Sequence, residues 1–301
     1  MRQAGVMKVR FAIAPAVDAV DLGAFAGQLQ ELETLGFDTV WLSDIPMGAT
    51  VDPIVGLSFA AAATTRLKLG ANIVPFGRSP LALAKALAQL DQLSGGRLLL
   101  SFVVGIDQPG ERAAMGTVGA NRGALVDAVV PLMRAWWAGD PVTHHDDHYA
   151  FDNVASPGRS HQDPLEIWFG GNGPAALSRI GRLGDGWLGS ALTPAEAEVV
   201  CKTILAAADE AGRVVDPEHF GLSLPYARSE VDAVVVRRLR GNRPEVDPAE
   251  LVPVGPERLR ALLRAHIDAG VSKFVIRPLG RGGDRGDELA RLADLLLPLQ
   301  T

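Results

Sequence analysis

Cysteine is nearly absent from this sequence, in which Cys201 is the only one among 301 residues. A single thiol excludes an internal disulfide and a cysteine-rich metal site. Long basic runs are absent as well, and the formal net charge is −6. Nucleic acid is therefore a poor candidate partner, and we expect a small-molecule ligand instead.

Long apolar runs are also missing. The N-terminal stretch MRQAGVMKVRFAIAP contains one short apolar run that ends in proline, too short for the core of a signal peptide or for a membrane span. We therefore expect a cytoplasmic protein with no membrane association. Apolar residues are nevertheless abundant, at 48% of the total, which is enough for a large folded core.

Short apolar, β-branched runs alternate with longer helical patterns along most of the chain. The runs predicted as strands are residues 9–16, 37–44, 67–75, 97–105, 165–170, 186–190, 220–227 and 273–279. Continuous apolar runs are typical of parallel strands, and eight strand–helix pairs favour a closed (β/α)8 TIM-like barrel over a doubly wound sheet. We predict one domain over residues 1–301, with polar insertions near 139–164 and 228–253.

The segment WFGGNGPAAL (residues 168–177) fits the G-x-G-x-x-A pattern of a dinucleotide-binding turn. That interpretation fails because the next strand ends at Ser190 without the acidic residue that binds a ribose, and because the motif lies in the fifth repeat rather than the first. The glycines still let the backbone approach a ligand, and free N–H groups at a helix start attract an anion. We predict a phosphate-binding turn; a tight turn that binds nothing is the alternative.

A histidine-rich segment, THHDDHY (residues 143–149), is the one stretch that resembles a metal site. His144 and His148 are four residues apart, a spacing that suits metal binding on a helix. Pro141 and the strand-like residues after His148 indicate a hairpin instead. We predict a solvated loop and no metal site.

Several stretches together resemble the bacterial luciferase-like monooxygenase family of flavin or deazaflavin oxidoreductases. They are GFDTVWLSD, then RLKLGANIVPFGRSPLALAKALAQLDQLSGGRLLLSFVVG, PLEIWFGGNGPAALSRIGRLGDGW and VGPERLRALLRAHIDAGVSKFVIRP, which cover nearly the whole chain. The resemblance implies a TIM-like barrel that binds coenzyme F420 (a deazaflavin) or FMN at the carboxyl ends of its strands. The residues around 66–69 and the GGNGPAAL turn are most similar to the F420-dependent branch.

The resemblance also implies where the reaction would take place. Asp44, at the end of the second strand, matches an acidic residue that the family places beside the cofactor ring. A carboxylate in that position of a barrel is a plausible general acid or base; a helix-capping aspartate is the alternative. Asn72 and Ile73 fall where the family has a non-proline cis peptide behind the flavin ring, and an ordinary strand end is the alternative there.

The remaining contacts implied by the resemblance belong to later strand ends. Gly105 would approach the cofactor tail, and the phosphate would meet Gly170, Gly171, Asn172 and Gly173. Trp187 and Ser190 lie on the sixth predicted strand, where Ser190 could also donate to phosphate. Arg277 ends the eighth strand, where a cation could meet an anionic tail or substrate; a salt-bridged arginine on the rim is the alternative.

Two features depart from the family pattern. Ile45 follows Asp44 where many F420-dependent relatives carry histidine, so a proton relay through that histidine is absent. The fourth strand ends in Ser-Phe-Val-Val-Gly rather than in a repeated glycine pattern.

The function that we predict is hydride transfer between a small organic substrate and C5 of a bound deazaflavin, with Asp44 handling a proton. The alternatives are an FMN-dependent luciferase-like monooxygenase, a cofactor-free barrel lyase or isomerase, and a diverged barrel that binds cofactor without catalysis. Substrate contacts would come from loops near 45–52, 106–120, 139–163 and 228–253. The family resemblance also favours a homodimer.

Overall fold

The computed structural model describes residues 7–15, 22–48, 50–279 and 285–301. The strands of its main sheet are β1 (Arg10–Ile13), β2 (Thr39–Ser43), β3 (Lys68–Ile73), β4 (Leu98–Phe102), β7 (Ile167–Gly170), β8 (Gly186–Ser190), β9 (Phe220–Tyr226) and β10 (Lys273–Pro278). They form a closed parallel barrel in the order β1-β10-β9-β8-β7-β4-β3-β2. The predicted (β/α)8 architecture is confirmed. Predicted element ends at Ala16, Asp21 and Asp284 lie outside the described residues.

Helices connect successive barrel strands. They are α1 (Leu22–Leu35), α2 (Pro53–Ala63), α3 (Pro80–Ser94), α4 (Pro109–Ala114), α5 (Arg122–Ala138), α6 (Pro174–Leu183), α7 (Pro194–Glu210), α8 (Ala233–Asn242), α9 (Pro248–Leu251), α10 (Pro256–Asp268) and α11 (Arg285–Leu296). Polar N-cap residues stabilise the starts of several of these helices. The Asp52 carboxylate caps α2, and Thr193 with Glu196 forms a capping box on α7.

Two tryptophans fill the inside of the barrel. They belong to a small lumenal cluster of buried side chains, namely Ala12, Trp41, Trp168, Leu188 and Val275. The indoles fit because glycines stand beside them: a Cβ would come within 2.1 Å of Trp41 at Gly70, and within 2.6 Å of Trp168 at Gly186. Because this packed layer closes the lumen, a ligand has to bind above it, at the carboxyl ends of the strands.

A buried ion pair lies at the opposite, amino-terminal end of the barrel. The Lys273 ammonium donates to the Asp38 carboxylate at 2.5 Å and to the Thr39 hydroxyl at 2.9 Å. Burial alone would raise the pKa of Asp38, but the charges of Lys273 and then Lys68 outweigh it and lower that pKa to about 2. This pair contributes to stability rather than to chemistry, since barrel active sites lie at the other face.

The two predicted insertions are folded segments outside the barrel wall. Within 139–164, β5 (Val142–His145) and β6 (Ala150–Val154) pair as the predicted antiparallel hairpin. The 228–253 segment contains α8 and α9. It is attached through Arg243, whose guanidinium pairs with Glu196 at 2.5 Å and donates to the Ala191 carbonyl. Helix α4, inside the 106–120 loop, was not predicted because six residues are too few to show a helical period.

Candidate active site

Asp44 directly follows the last residue of β2, and its side chain is largely buried, with 5% exposed. Its Oδ2 accepts hydrogen bonds from the Arg78 guanidinium at 2.7 Å and from the Val74 backbone N–H at 3.2 Å. It caps no helix start in this structure, because the cap of α2 is Asp52. The helix-capping alternative is therefore wrong.

The electrostatic surroundings of Asp44 favour its protonated form. Burial raises the pKa of the Asp44 carboxyl, and the charge of Arg78 and the Val74 N–H only partly offset that rise. The negative charges of Asp52 and Glu111 raise the pKa further. A carboxyl that is buried and near like charges is typical of a group that gives or takes a proton.

Glu111 is a second carboxylate at this site, which sequence reasoning missed. It lies on the short helix α4 and is 5% exposed. Its Oε1 lies 3.7 Å from Nη1 of Arg122, whose side chain is also nearly buried. Only the combination of Pro109 at a helix start and an acidic residue in its first turn could have signalled this position from sequence.

Gly105, which was expected to approach the cofactor tail, lies directly beside Glu111. Its φ is +71°, and a Cβ there would come within 2.4 Å of Oε1 of Glu111. Glycine is required at this position for both reasons, because other residues disfavour positive φ and any side chain would displace the carboxylate. Gly105 thus brings Glu111 to the mouth of the barrel, close enough for its charge to influence Asp44.

Asn72 and Ser101 line the mouth between β3 and β4, where the strand register pairs them directly. The Asn72 side-chain amide donates to the Ser43 hydroxyl at 3.0 Å. Within the described residues, Oδ1 of Asn72 and Oγ of the fully buried Ser101 have no hydrogen-bond partner. Buried polar atoms without partners are costly, and they mark places where a ligand or water completes the bonding.

The expectation of a cis peptide at Asn72–Ile73 is wrong. The cis bond among the described residues is Asp163–Pro164. Both residues of the Asn72–Ile73 pair keep the regular parallel register with β4, opposite Ser101 and Phe102. An uninterrupted ladder of this kind is what ordinary trans peptides form, so the strand-end alternative describes this position.

The glycine-rich turn after β7 has the features of an anion-binding site. Gly173 is the N-cap residue of α6 and supplies no capping side chain. No hydrogen bond from the backbone N–H groups of Gly171, Asn172 or Gly173 occurs among the described residues. Gly171 has φ +107°, and a Cβ at Gly170 would clash with Val103 at 2.8 Å. Free N–H groups at a helix start attract an anion.

Neighbouring side chains hold this turn in place. The Asn172 amide donates to the Ser190 carbonyl at 2.9 Å, and Oδ1 of Asn172 is buried without a partner in the described part of the chain. The Ser190 residue itself is exposed at the end of β8. Trp187 is fully buried in the main core outside the barrel, where its indole N–H donates to the Gly171 carbonyl at 3.0 Å. The structure thus places Trp187 behind the turn rather than at the mouth.

Arg277 lies at the carboxyl end of β10, opposite Pro225 of β9. The residue is exposed, and its guanidinium forms no salt bridge or hydrogen bond with any part of the chain that the structure describes. Partial burial of its guanidinium lowers the pKa of Arg277, and so does the charge of Arg238 on α8. The salt-bridged alternative therefore finds no partner among the described residues.

The predicted site residues therefore form three groups around one rim of the barrel. Asp44, Asn72, Ile73 and Gly105 lie at the ends of β2 to β4, the turn from Gly170 to Gly173 and Ser190 lie at β7 and β8, and Arg277 lies at β10. A cavity of about 590 Å³ opens next to the turn, lined partly by Gly170 and Gly171. The site is thus a barrel mouth with a side cavity.

Metal ligands do not cluster in the described ranges, where no three histidine, cysteine, aspartate or glutamate side chains are arranged to hold an ion. In the hairpin, His144 contacts Asp146 at 2.8 Å and His145 contacts Asp152 at 2.9 Å. A membrane-spanning helix is likewise not found among residues 7–15, 22–48, 50–279 and 285–301.

The family model for luciferase-like monooxygenases matches residues 3–273. The chain belongs to this family. Its curated relatives include the 5,10-methylenetetrahydromethanopterin reductase of Methanolobus tindarius, 28% identical over 88% of this chain and 84% of the relative. Another is the F420-dependent glucose-6-phosphate dehydrogenase of Amycolatopsis mediterranei, 25% identical over 88% of this chain and 91% of the relative.

The same barrel occurs in a solved structure. The coenzyme F420-dependent tetrahydromethanopterin reductase of Methanopyrus kandleri superposes with a TM-score of 0.79, covering 98% of this chain and all of that one at 20% identity. At this identity the likeness is one of fold.

Proposed function

We propose that this protein is an F420-dependent oxidoreductase that transfers a hydride between the deazaflavin and a small organic substrate. Relatives named as F420-dependent enzymes align over most of the chain, including the Amycolatopsis dehydrogenase. The observation that carries the proposal is the turn from Gly171 to Gly173, whose free backbone N–H groups face the same rim as the buried Asp44 and Glu111. A phosphate-bearing redox cofactor fits that combination.

The residues present fit a bound deazaflavin at two points. Its phosphate would bind the N–H groups of Gly171, Asn172 and Gly173, where a helix start favours negative charge. The partnerless Asn72 Oδ1 and Ser101 Oγ offer hydrogen bonds at the barrel mouth. When bound, the deazaflavin supplies the carbon that gives or accepts a hydride.

The protein's own contribution is orientation and proton transfer. Asp44 would exchange a proton with the substrate oxygen or nitrogen, because its raised pKa makes the carboxyl a better proton donor near neutrality than a free aspartate. Glu111 would assist from α4, close enough to influence the charge of Asp44. Arg78, hydrogen-bonded to Asp44 at 2.7 Å, holds the carboxyl in one orientation.

The other assignments support the same function. Gly105 leaves room for Glu111 at the barrel mouth, and Ile73 is the last residue of the strand beneath it. Ser190 and Trp187 hold the phosphate turn in place. Arg277 would bind an anionic group of the substrate or cofactor. The net charge of −6 supports a small-molecule rather than a nucleic-acid partner. A homodimer belongs to the proposal through the family resemblance. A cytoplasmic location and a single domain over 1–301 belong to it through the sequence.

The experiment is a titration of the purified protein with F420 and with FMN, followed by ligand fluorescence and equilibrium dialysis. Saturable binding of F420 with little binding of FMN is expected. Gly171→Ala should weaken F420 binding, since its φ of +107° is strained for alanine and its Cβ would lie 3.0 Å from Ala176. Gly270→Ala is the matched control, with φ +95° and no atom near the added Cβ.

Two outcomes of the titration would contradict the proposal. Preference for FMN would support a flavin-dependent monooxygenase. Binding of neither cofactor would leave a diverged barrel.

A further inference from the structure

A second cavity opens in the helix layer, on the outer side of the barrel wall. Its volume is about 330 Å³, and it is lined by Tyr226 at the end of β9, by the loop that follows and by one side each of α10 and α11. Tyr226 packs into the main core outside the barrel, whereas Val275 of the neighbouring strand β10 faces the lumen. The cavity is therefore separated from the barrel mouth by the wall, and its volume suits a small organic ligand.

The floor of this cavity is apolar except for one hydroxyl. Leu292, Leu295 and Tyr226 are buried, with 5% of Tyr226 exposed. The Tyr226 hydroxyl has no hydrogen-bond partner among the described residues. Burial raises the pKa of Tyr226, Glu288 raises it further and Arg228 lowers it, so the hydroxyl lies within reach of two charged groups that line the cavity. A polar group of a buried residue without a partner marks a place where a ligand or water completes the bonding.

Arginines outnumber carboxylates on the rim of the cavity, by three to two. Arg228 pairs only loosely with Glu288, at 3.9 Å between Nη1 and Oε2. Arg291 pairs at 2.7 Å with Asp287, which does not line the cavity. Arg260 forms no salt bridge or hydrogen bond in the described ranges. Its guanidinium is therefore available to an anion.

The two ends of the cavity differ in charge. Helices α10 and α11 follow the adjacent parallel strands β9 and β10, so both begin at the same rim of the barrel. Arg260 lies near the start of α10, where the N-cap residue Gly255 supplies no capping side chain and the positive end of the helix dipole adds to the charge. Asp294 lies in the last turn of α11 and has no ion-pair partner in the described part of the chain. A negative group is thus favoured near the start of α10 and disfavoured at the other end.

We propose that this cavity binds a small monocarboxylate with an apolar body, at a site distinct from the barrel mouth. The carboxylate would pair with Arg260 and accept a hydrogen bond from the Tyr226 hydroxyl, since the planar guanidinium fork matches a carboxylate. The apolar body would lie over Leu292 and Leu295, and Asp294 would exclude a second carboxylate at the far end. The inference goes beyond the proposed function and does not depend on it.

The test uses three probes of one shape: benzoate, its neutral amide benzamide, and terephthalate, which carries a second carboxylate at the opposite end of the ring. Their dissociation constants would be measured by isothermal titration calorimetry on the full chain. Benzoate should bind about three- to tenfold more tightly than benzamide, because only benzoate forms an ion pair with Arg260. Terephthalate should bind about two- to fivefold more weakly than benzoate, because its second charge meets Asp294.

Variants locate the ligand in the cavity. Arg260→Gln should lower the affinity for benzoate to that for benzamide and leave benzamide binding unchanged. Tyr226→Phe should weaken the binding of both compounds about two- to tenfold, because it removes one hydrogen bond and keeps the ring. Arg264→Gln is the matched control, since Arg264 is exposed on the same helix, does not line the cavity and has no salt bridge with the described residues.

Three outcomes would overturn the assignment of this cavity. They are no saturable binding of benzoate, equal affinity for benzoate and benzamide, and a loss in Arg264→Gln as large as that in Arg260→Gln. Benzoate binding that neither Arg260→Gln nor Tyr226→Phe alters would place the ligand elsewhere and overturn it as well. All of these leave the proposed function intact, because binding of F420 is measured separately and at the barrel mouth.

Discussion

Replacing Asp44 with asparagine should abolish most of the activity without destabilising the protein. Loss of a general acid or base typically lowers turnover by about 10²- to 10⁴-fold, which corresponds to roughly 3–5 kcal/mol of activation free energy. Folding stability should respond differently. The substitution removes an ion pair with Arg78, whose side chain is 30% exposed, so that pair contributes at most about 1 kcal/mol.

The pH dependence of stability follows from the raised pKa of Asp44. A group whose pKa is higher in the folded state stabilises the fold below its unfolded pKa, and that contribution is lost as pH rises through the folded-state value. Above the folded-state pKa of Asp44, its ionised and buried carboxylate therefore costs the native protein free energy that an uncharged asparagine does not. The free energy of unfolding of Asp44→Asn should therefore rise relative to that of the unaltered protein as the pH is raised.

The assay pairs steady-state turnover with thermal unfolding across a pH series. At neutral pH the midpoint of Asp44→Asn should lie within about 3 °C of the unaltered protein or above it. Asp91→Asn is the control: the fully buried Asp91 accepts two hydrogen bonds from Gln162 at 2.8 Å, so this variant should lose stability by about 1–3 kcal/mol. Unchanged turnover in Asp44→Asn would remove Asp44 from the mechanism, and a large loss of stability would refute the electrostatic reasoning.

Further predictions concern the second carboxylate, the barrel floor and the lumen. Glu111→Gln should lower turnover by about 10²-fold with cofactor affinity unchanged in a fluorescence titration; weaker cofactor binding alone would refute a role in proton transfer. The pKa of Asp38 is lowered to about 2, so its ionised carboxylate should contribute about 2 kcal/mol to the free energy of unfolding above its unfolded pKa, and this contribution should be lost as pH falls toward 2. Denaturant titrations of the unaltered protein and Asp38→Asn should show their difference in free energy of unfolding narrowing between pH 6 and pH 3. A constant difference would contradict this prediction. Gly70→Ala should cost about 1–3 kcal/mol of stability, because the added Cβ collides with Trp41. Gly27→Ala on α1 is the control, since no atom lies within 4 Å of its added Cβ, and it should stabilise the protein by about 0.5–1 kcal/mol. Equal unfolding midpoints of the two variants in urea would show that the lumen is not tightly packed.

The barrel was predictable because its strands are buried on both faces. Strands of that kind appear in the sequence as short apolar runs. The helices between them begin at recognisable residues such as Pro80 and end at glycines such as Gly95. The hairpin at β5 and β6 was predictable for a similar reason, since Pro141 and the alternating residues after it exclude a helix. Boundaries differ from prediction by a few residues, mainly where a strand was extended into the loop after it.

The site was less predictable, because its contacts join residues far apart in the chain. Glu111 reaches the mouth only because Gly105 adopts positive φ, and nothing in the spacing of the two residues indicates that contact. Trp187 was expected at the cofactor, but strand alternation directs it outward, and only its bond to Gly171 links it to the turn. The cavity beside the glycine-rich turn is lined by residues of α4, α5 and α6, each of which looks in sequence like an ordinary helix surface.

The most direct test of the central claim is whether hydride transfer occurs and whether oxygen takes part. The protein would be mixed with F420 and a panel of alcohols, sugar phosphates and other hydride donors, while the visible absorbance of the oxidised deazaflavin and dissolved oxygen are recorded together. We expect that absorbance to fall with at least one donor and no oxygen to be consumed. Activity should change little in Gly270→Ala and be strongly reduced in Asp44→Asn. Oxygen consumption with reduced FMN, and oxygen incorporated into the product, would contradict it.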